Sequence, residues 1–191
     1  MFVRLIRPAV SLLVLMTILL GIVYPLLITG VAKVTFPRQA EGSLIYQDGK
    51  LIGSTLIGQS FTDPKYFWGR PSATTPQPYN GVASSGSNLG PLNPALLDAV
   101  KANAKALHDA DPENRQPIPV DLVTASASGL DPEISTAGAL FQAARVARAR
   151  NLPLAQVEAL IQAHEQGRLF GLIGERRINI LELNLALDQR R

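Results

Sequence analysis

Residues 8–32 read PAVSLLVLMTILLGIVYPLLITGVA, a run of 25 positions with no charge between Arg7 and Lys33. As an α-helix rising ~1.5 Å per residue it would be roughly 38 Å long, against a bilayer hydrocarbon core of ~30 Å. The run therefore predicts one transmembrane helix with room for some tilt. The rival reading is a cleaved leader, because Gly30-Val31-Ala32 supplies small residues at the end of the run. A leader's apolar stretch is typically ~7–15 residues, well short of this one, so a retained anchor is the expectation.

The flanking charges suggest an orientation. The tail, residues 1–7, carries Arg4 and Arg7 and no acid, while the other side has Lys33 and Arg38 offset by Glu41. Excess positive charge stays in the cytoplasm, so the expected layout is a cytoplasmic tail 1–7, a transmembrane helix 8–32 and a periplasmic soluble domain 33–191. Within the helix Thr17, Gly21, Pro25 and Thr29 recur every four residues. Small residues on one side of a membrane helix let a second helix approach closely, and Pro25 is placed to kink the segment. These four form the expected helix-docking face.

Outside the anchor the charge is balanced. Of 18 Lys and Arg and 15 Asp and Glu, removing Arg4, Arg7 and Lys33 leaves equal numbers of each sign. A neutral domain is not built to track nucleic-acid phosphates. The chain has no cysteine, which excludes thiolate metal sites, a cysteine nucleophile and disulfides. A domain of ~150 residues has to be held by its own core, and that length is sufficient.

The fold expected for it is α+β, with a hairpin early and a mostly helical C-terminal third. Asp48-Gly49-Lys50 lies between two apolar runs, the strongest short hairpin signal. Tyr66-Phe67-Trp68, ending in Gly69-Arg70-Pro71, is the densest aromatic cluster; Tyr66, Phe67, Trp68 and Arg70 are candidates for a partner-facing surface. Residues 72–94 are rich in Ser, Thr, Gly, Pro and Asn and read as a long irregular loop, a kind of segment that is usually functional or disordered. Asn93-Pro94 caps a helix running to about His108. Helices are further expected over 135–150, with Ala139, Leu140, Ala143, Ala144 and Ala147 at helical spacing, and from Leu154 to His164, ending near Gly167. Residues 178–187 alternate like a strand yet space Leu181, Leu185 and Leu187 like a helix; helix is preferred.

Catalytic machinery is scarce. His108 and His164 each sit near a helix C-terminus, where a cation suits the dipole, and no Gly-x-Ser-x-Gly elbow occurs. Asp109, Asp111 and Glu113 alternate as in a calcium loop, but the turn glycine and the final glutamate are missing, so a solvated acidic turn is expected and no metal site is assigned. Ser84, Ser85, Gly86, Ser87 and Asn88 form a Ser/Gly loop whose amides are able to cradle an anion; without Gly-Lys-Ser/Thr it is not a Walker loop. Arg145, Arg148 and Arg150 give one helix a basic flank, read as solvated or facing a partner or lipid headgroups. Chemistry alone points to an accessory or binding subunit, with a stand-alone membrane-anchored periplasmic binding protein or hydrolase as the alternative.

Four segments together resemble a known family: Gly58-Gln59-Ser60-Phe61 continuing through Tyr66 to Thr74; Ala83 to Pro91; Pro119 to Pro132, with Ser126, Ser128 and Gly129; and Asn179 to Asp188, centred on Leu183-Asn184-Leu185-Ala186-Leu187-Asp188. They are similar to the C subunits of the bacterial Kdp potassium-transporting P-type ATPase, over nearly the whole chain. Arg176, where the family pattern has a proline, and Glu133 depart from it. The resemblance implies an inner-membrane complex with a potassium-translocating channel-like subunit and an ATP-hydrolysing P-type subunit. It further implies a non-catalytic subunit that assists assembly and acts as a catalytic chaperone raising the hydrolysing subunit's affinity for ATP. ATP is suggested only by the resemblance, with Ser84–Asn88, Ser126, Ser128 and Gly129 as candidate nucleotide or partner loops. A periplasmic domain cannot reach cytoplasmic ATP, so an indirect effect through the anchor is expected.

Overall fold

The computed structural model describes residues 2–190; Met1 and Arg191, the first residue of the expected tail and the last of the expected domain, lie outside the described residues. The chain divides between Ile52 and Gly53 into two compact units.

In the first unit, α1 (Phe2–Ile18), a π-helical turn (Leu19–Val23) and α2 (Tyr24–Thr35) follow one another without a break. Helix thus runs through Arg4 and Arg7 and past Lys33, beyond both ends of the uncharged run. The stretch Arg4–Thr35 is long and apolar enough to cross a bilayer, and apart from half-buried Ala32 all its side chains are exposed. The π-turn has a cause in the sequence. Pro25 has no N–H to give to the carbonyl four residues back, and its ring crowds that carbonyl. The helix widens just before it, and the Tyr24 N–H reaches back five residues to the Leu19 carbonyl.

After the short α3 (Pro37–Ala40), β1 (Leu44–Gln47) and β2 (Lys50–Ser54) form the expected hairpin. Asp48 and Gly49 take φ of 51° and 75°, the left-handed pair that a two-residue turn matched to strand twist requires.

The second unit is α+β. An irregular segment leads to α4 (Pro94–Ala110), a 3-10 turn (Val120–Leu122), β3 (Glu133–Ser135), α5 (Thr136–Arg150), α6 (Leu154–His164), β4 (Glu165–Gln166), β5 (Arg177–Asn179) and α7 (Ile180–Asp188). The helix starts are written locally. Asn93 Oδ1 accepts the Ala95 N–H, Ser135 Oγ accepts from Gly138, and Asn179 Oδ1 accepts from Glu182, each satisfying an orphan donor of the first turn. Asn151, with φ 55°, closes α5 in the left-handed conformation ahead of Pro153.

β5 is central in a three-stranded antiparallel sheet ordered β3-β5-β4, with Ile134 opposite Ile178 and Glu165 also opposite Ile178. The ambiguous stretch 178–187 is therefore both things in turn: a strand up to Asn179, then a helix that Asn179 caps. α6 ends at His164, short of Gly167, because the chain enters β4 there. The core gathers Phe67, Ile134, Ala139, Val146, Val157, Ile161, Ile178, Leu183 and Leu187. On α5 the polar Gln142 and Arg145 are inside, while Leu140 remains 43% exposed.

Phe67 is 0% exposed. Truncating such a ring leaves a cavity that its neighbours only partly fill, so Phe67→Ala is expected to lose about 3–5 kcal/mol of stability. Urea unfolding of the full chain, followed by emission of Trp68, its single tryptophan, measures this; unchanged stability would place Phe67 outside the core.

Candidate functional site

Residues 64–68 have no regular structure, yet four side chains from α5 and α7 pair their backbone. Arg145 Nη1 donates to the Pro64 carbonyl (2.6 Å) and Arg150 Nε to the Lys65 carbonyl (2.7 Å). Asn184 accepts the Phe67 N–H (2.9 Å) and donates to the Phe67 carbonyl (3.0 Å). Gln142 does the same for Trp68, at 2.8 and 3.1 Å. Both amides are 1% exposed. Each substitutes for a neighbouring strand, which is what a buried backbone without a ladder needs.

The aromatic cluster and the basic flank are thus two halves of one clasp. The Arg145 guanidinium lies 4.5 Å from the Trp68 ring centroid, and that of Arg150 lies 4.8 Å from Tyr66. Asp188 accepts from Tyr66 Oη (3.0 Å) and from Arg150 (2.7 Å). Burial pushes Arg145 down to about 10, only partly countered by Asp111, so it stays charged near neutral pH. Two expectations need correcting. Phe67 is core and takes no part in a surface; only Tyr66, Trp68 and Arg70 keep an accessible edge. Arg145 and Arg150 are not a solvated flank, because the irregular segment needs their donors.

The acidic turn also differs from its reading. Asp111 is 4% exposed and pairs with Arg148, a partner that lies far off in the sequence. Among the described residues no group of three or more His, Asp or Glu side chains comes together to hold a metal.

Two further segments meet beside this clasp. Arg70 Nη1 donates to Asp131 Oδ2 at 3.1 Å, Ser72 Oγ to the Gly129 carbonyl at 2.7 Å, and Tyr79 Oη to the Arg70 carbonyl at 2.5 Å. Phe61, Trp68, Arg70, Tyr79, Asn103 and Leu107 line a cleft of about 260 Å³ there. Burial, with Asp131 adding to it, pushes the Tyr79 phenol up to about 12.

The two Ser/Gly loops come together as well. The Ser85 N–H and Ser84 Oγ both donate to the Ser128 carbonyl, at 2.9 and 3.0 Å. A Cβ at Gly86 would stand 2.7 Å from the Ala127 carbonyl oxygen, and one at Gly129 2.6 Å from that of Ser85. Glycine is used at both places to let the loops touch. Ser126 Oγ accepts the Gly129 N–H at 2.9 Å, while Ser87 and Asn88 are exposed. On the helix, Thr17, Gly21, Pro25 and Thr29 are exposed, and nothing lies within 4 Å of where a Gly21 Cβ would sit.

Known proteins resemble the chain over nearly its whole length. The family model "KdpC: K+-transporting ATPase, c chain" matches residues 6–189. The KdpC subunit of a potassium-transporting ATPase from Dechloromonas aromatica is 64% identical over 184 residues, covering 96% of this chain and 96% of that protein. The corresponding subunit of Variovorax paradoxus is 64% identical over 183 residues, covering 96% and 95%.

Two outcomes test the clasp. Asn184→Leu leaves the Phe67 N–H and carbonyl buried without partners and is expected to cost about 2–4 kcal/mol, measured by urea unfolding. For Tyr79, the folded-state phenol is raised from 10.0 to about 12, so its stabilisation is complete below the lower value and lost as pH rises through the upper one. The stability difference between native chain and Tyr79→Phe should shrink across that alkaline window; a difference independent of pH would show that the phenol is not held up.

Proposed function

The chain belongs to the KdpC family, the c chain of K+-transporting ATPases, and from that premise we propose that it is a membrane-anchored, non-catalytic subunit of an ATP-driven potassium uptake complex of the bacterial inner membrane. Its tail, residues 1–7, faces the cytoplasm, residues 8–32 cross the bilayer, and residues 33–191 form a periplasmic domain. Its partners are a potassium-translocating channel-like subunit and an ATP-hydrolysing P-type subunit.

The observation that carries this reading is the apolar helix with its corrected phase. Steps of four at ~3.6 residues per turn drift by roughly 40° each, about 120° from Thr17 to Thr29. The π-turn at Leu19–Val23 takes up about one residue, or roughly 100°, of that drift. Thr17, Gly21, Pro25 and Thr29 are thereby brought towards one line, and an open Gly21 lets a second helix backbone come close. This stripe docks on the channel-like subunit.

The accessible edges of Tyr66, Trp68 and Arg70, with Ser84–Asn88 and Ser128, serve as partner contacts, whereas Ser126 and Gly129, candidates in the sequence, are buried and hold their own loop together. Direct nucleotide binding between the two loops would require them to part, since Ser85 and Ser128 are already bonded. The subunit instead raises the ATP affinity of its partner indirectly, by binding the nucleotide-competent state of the complex more tightly than the other.

Gly21→Leu is expected to reduce co-purification of the other pump subunits at least tenfold while leaving the domain's unfolding unchanged; intact assembly would remove the stripe from the interface. A reporter enzyme fused after residue 191 should be active only on the periplasmic side, and cytoplasmic activity would reverse the orientation.

A further inference from the structure

The loop between β4 and β5 extends that hairpin away from the sheet. Leu169 and Ile173 form an antiparallel bridge, with the Leu169 N–H on the Ile173 carbonyl at 2.8 Å and the Ile173 N–H on the Leu169 carbonyl at 3.0 Å. At its tip Leu169, Phe170, Leu172 and Ile173 are 58, 86, 81 and 65% exposed. Four large apolar side chains on one short turn form a patch of the kind that marks an interaction site.

Phe170 is the informative residue. Phe170 and Gly171 have φ of 52° and 74°, and the Leu172 N–H bonds to the Leu169 carbonyl at 3.1 Å. A turn with two left-handed central residues favours Asn-Gly, and a bulky side chain is rarely found at its first position. The aromatic ring therefore suits neither the turn that holds it nor the water around it. Nothing within the domain is gained by placing it there, since its side chain is almost wholly exposed.

The charges around the tip identify what covers it. Arg168 pairs with Glu175 (3.2 Å), Arg176 with Glu165 (2.7 Å) and Arg177 with Glu133 (2.9 Å). An apolar tip that enters an anionic bilayer is accompanied by free cations for the headgroups, and here each flanking arginine already has its carboxylate. A neutral polar ring around an apolar centre is the anatomy of a protein–protein hot spot.

We propose that the 168–174 tip is a docking plug, in which Phe170, flanked by Leu169, Leu172 and Ile173, inserts into an apolar pocket on another subunit of the transport ATPase. The inference rests on the reading of this chain as a pump subunit. In the test, Phe170→p-benzoylphenylalanine is incorporated into the full chain in native membranes, irradiated, and the complex purified. The expected product is a covalent adduct to one pump subunit, located by mass spectrometry. Adducts to lipid or to a second copy alone, or no adduct from an intact complex, would overturn the plug while leaving the subunit assignment standing. A chain that brings down no pump subunit at all would overturn both. In parallel, Phe170→Asn supplies the residue the turn favours, so the isolated chain should melt at the same temperature or higher while retention of pump subunits in a high-salt wash drops at least tenfold. Undiminished retention, or a lowered melting temperature, would show that Phe170 serves the fold and not an interface.

Discussion

The backbone of residues 64–68 lies against the core without a strand to pair with, and Phe67 at its centre is wholly buried. Unpaired, the N–H and carbonyl groups of Phe67 and Trp68 would cost about 1–3 kcal/mol each, enough together to consume much of the stability of a domain this size. Gln142 and Asn184 remove the cost because a carboxamide carries a donor and an acceptor in the geometry of a peptide group. One stands on α5 and the other on α7, so the segment also ties those two helices to each other. Arg145 and Arg150 complete the arrangement on the carbonyls of Pro64 and Lys65. With the segment seated, Arg70 is in place to reach Asp131, and Tyr79 to close on the Arg70 carbonyl.

The elements legible in the sequence were those with a local signal. Pro8 to Ala32 announced the membrane-length helix, Asp48-Gly49 the hairpin, Asn93-Pro94 one helix and the spacing of Ala139, Leu140, Ala143, Ala144 and Ala147 another. β3, β4 and β5 have three, two and three residues, too few for alternation to register, so the sheet was invisible and 178–187 was assigned to helix alone. Partners distant in the chain were equally hidden. Tyr66-Phe67-Trp68 read as an exposed cluster because nothing nearby said that Asn184, more than a hundred residues on, would bury its middle member. Arg145 and Arg150 looked solvated because each bonds a backbone carbonyl, which has no residue type to recognise, and because Asp188, the carboxylate partner of Arg150, lies far along the chain. The tip at 168–174 carried one overlooked sign: Phe170 precedes Gly171 where a turn of that shape wants asparagine.

The family resemblance was legible for a physical reason. Three of its four segments are largely irregular stretches, the fourth is α7 with its Asn179 cap, and they bond to one another. Residues 58–74 meet 126–131 through Arg70 and Ser72, 83–91 meet 126–129 through Ser84 and Ser85, and 179–188 meet 66–68 through Asn184 and Asp188. Regular helices tolerate many sequences because their backbone bonds are internal. A loop satisfied by particular side chains does not, so the recognisable words sit in such loops and on the helix face, at Asn184 and Asp188, that serves one of them.

The non-catalytic role we propose requires a subunit to influence a distant reaction through binding alone. Ser84 and Ser85 are already bonded to Ser128 across the two Ser/Gly loops, and Arg70 to Asp131. A tenfold gain in ATP affinity elsewhere in a complex corresponds to ~1.4 kcal/mol. Burying one more leucine or phenylalanine in one state than in the other supplies about 1.5–3 kcal/mol. Whether the proposed helix stripe or the proposed apolar tip supplies it, the coupling needs a difference of a single side chain's contact between two conformations of the partner. Coupling of that size requires no shared ligand and no chemistry, only an interface that fits one state better than the other.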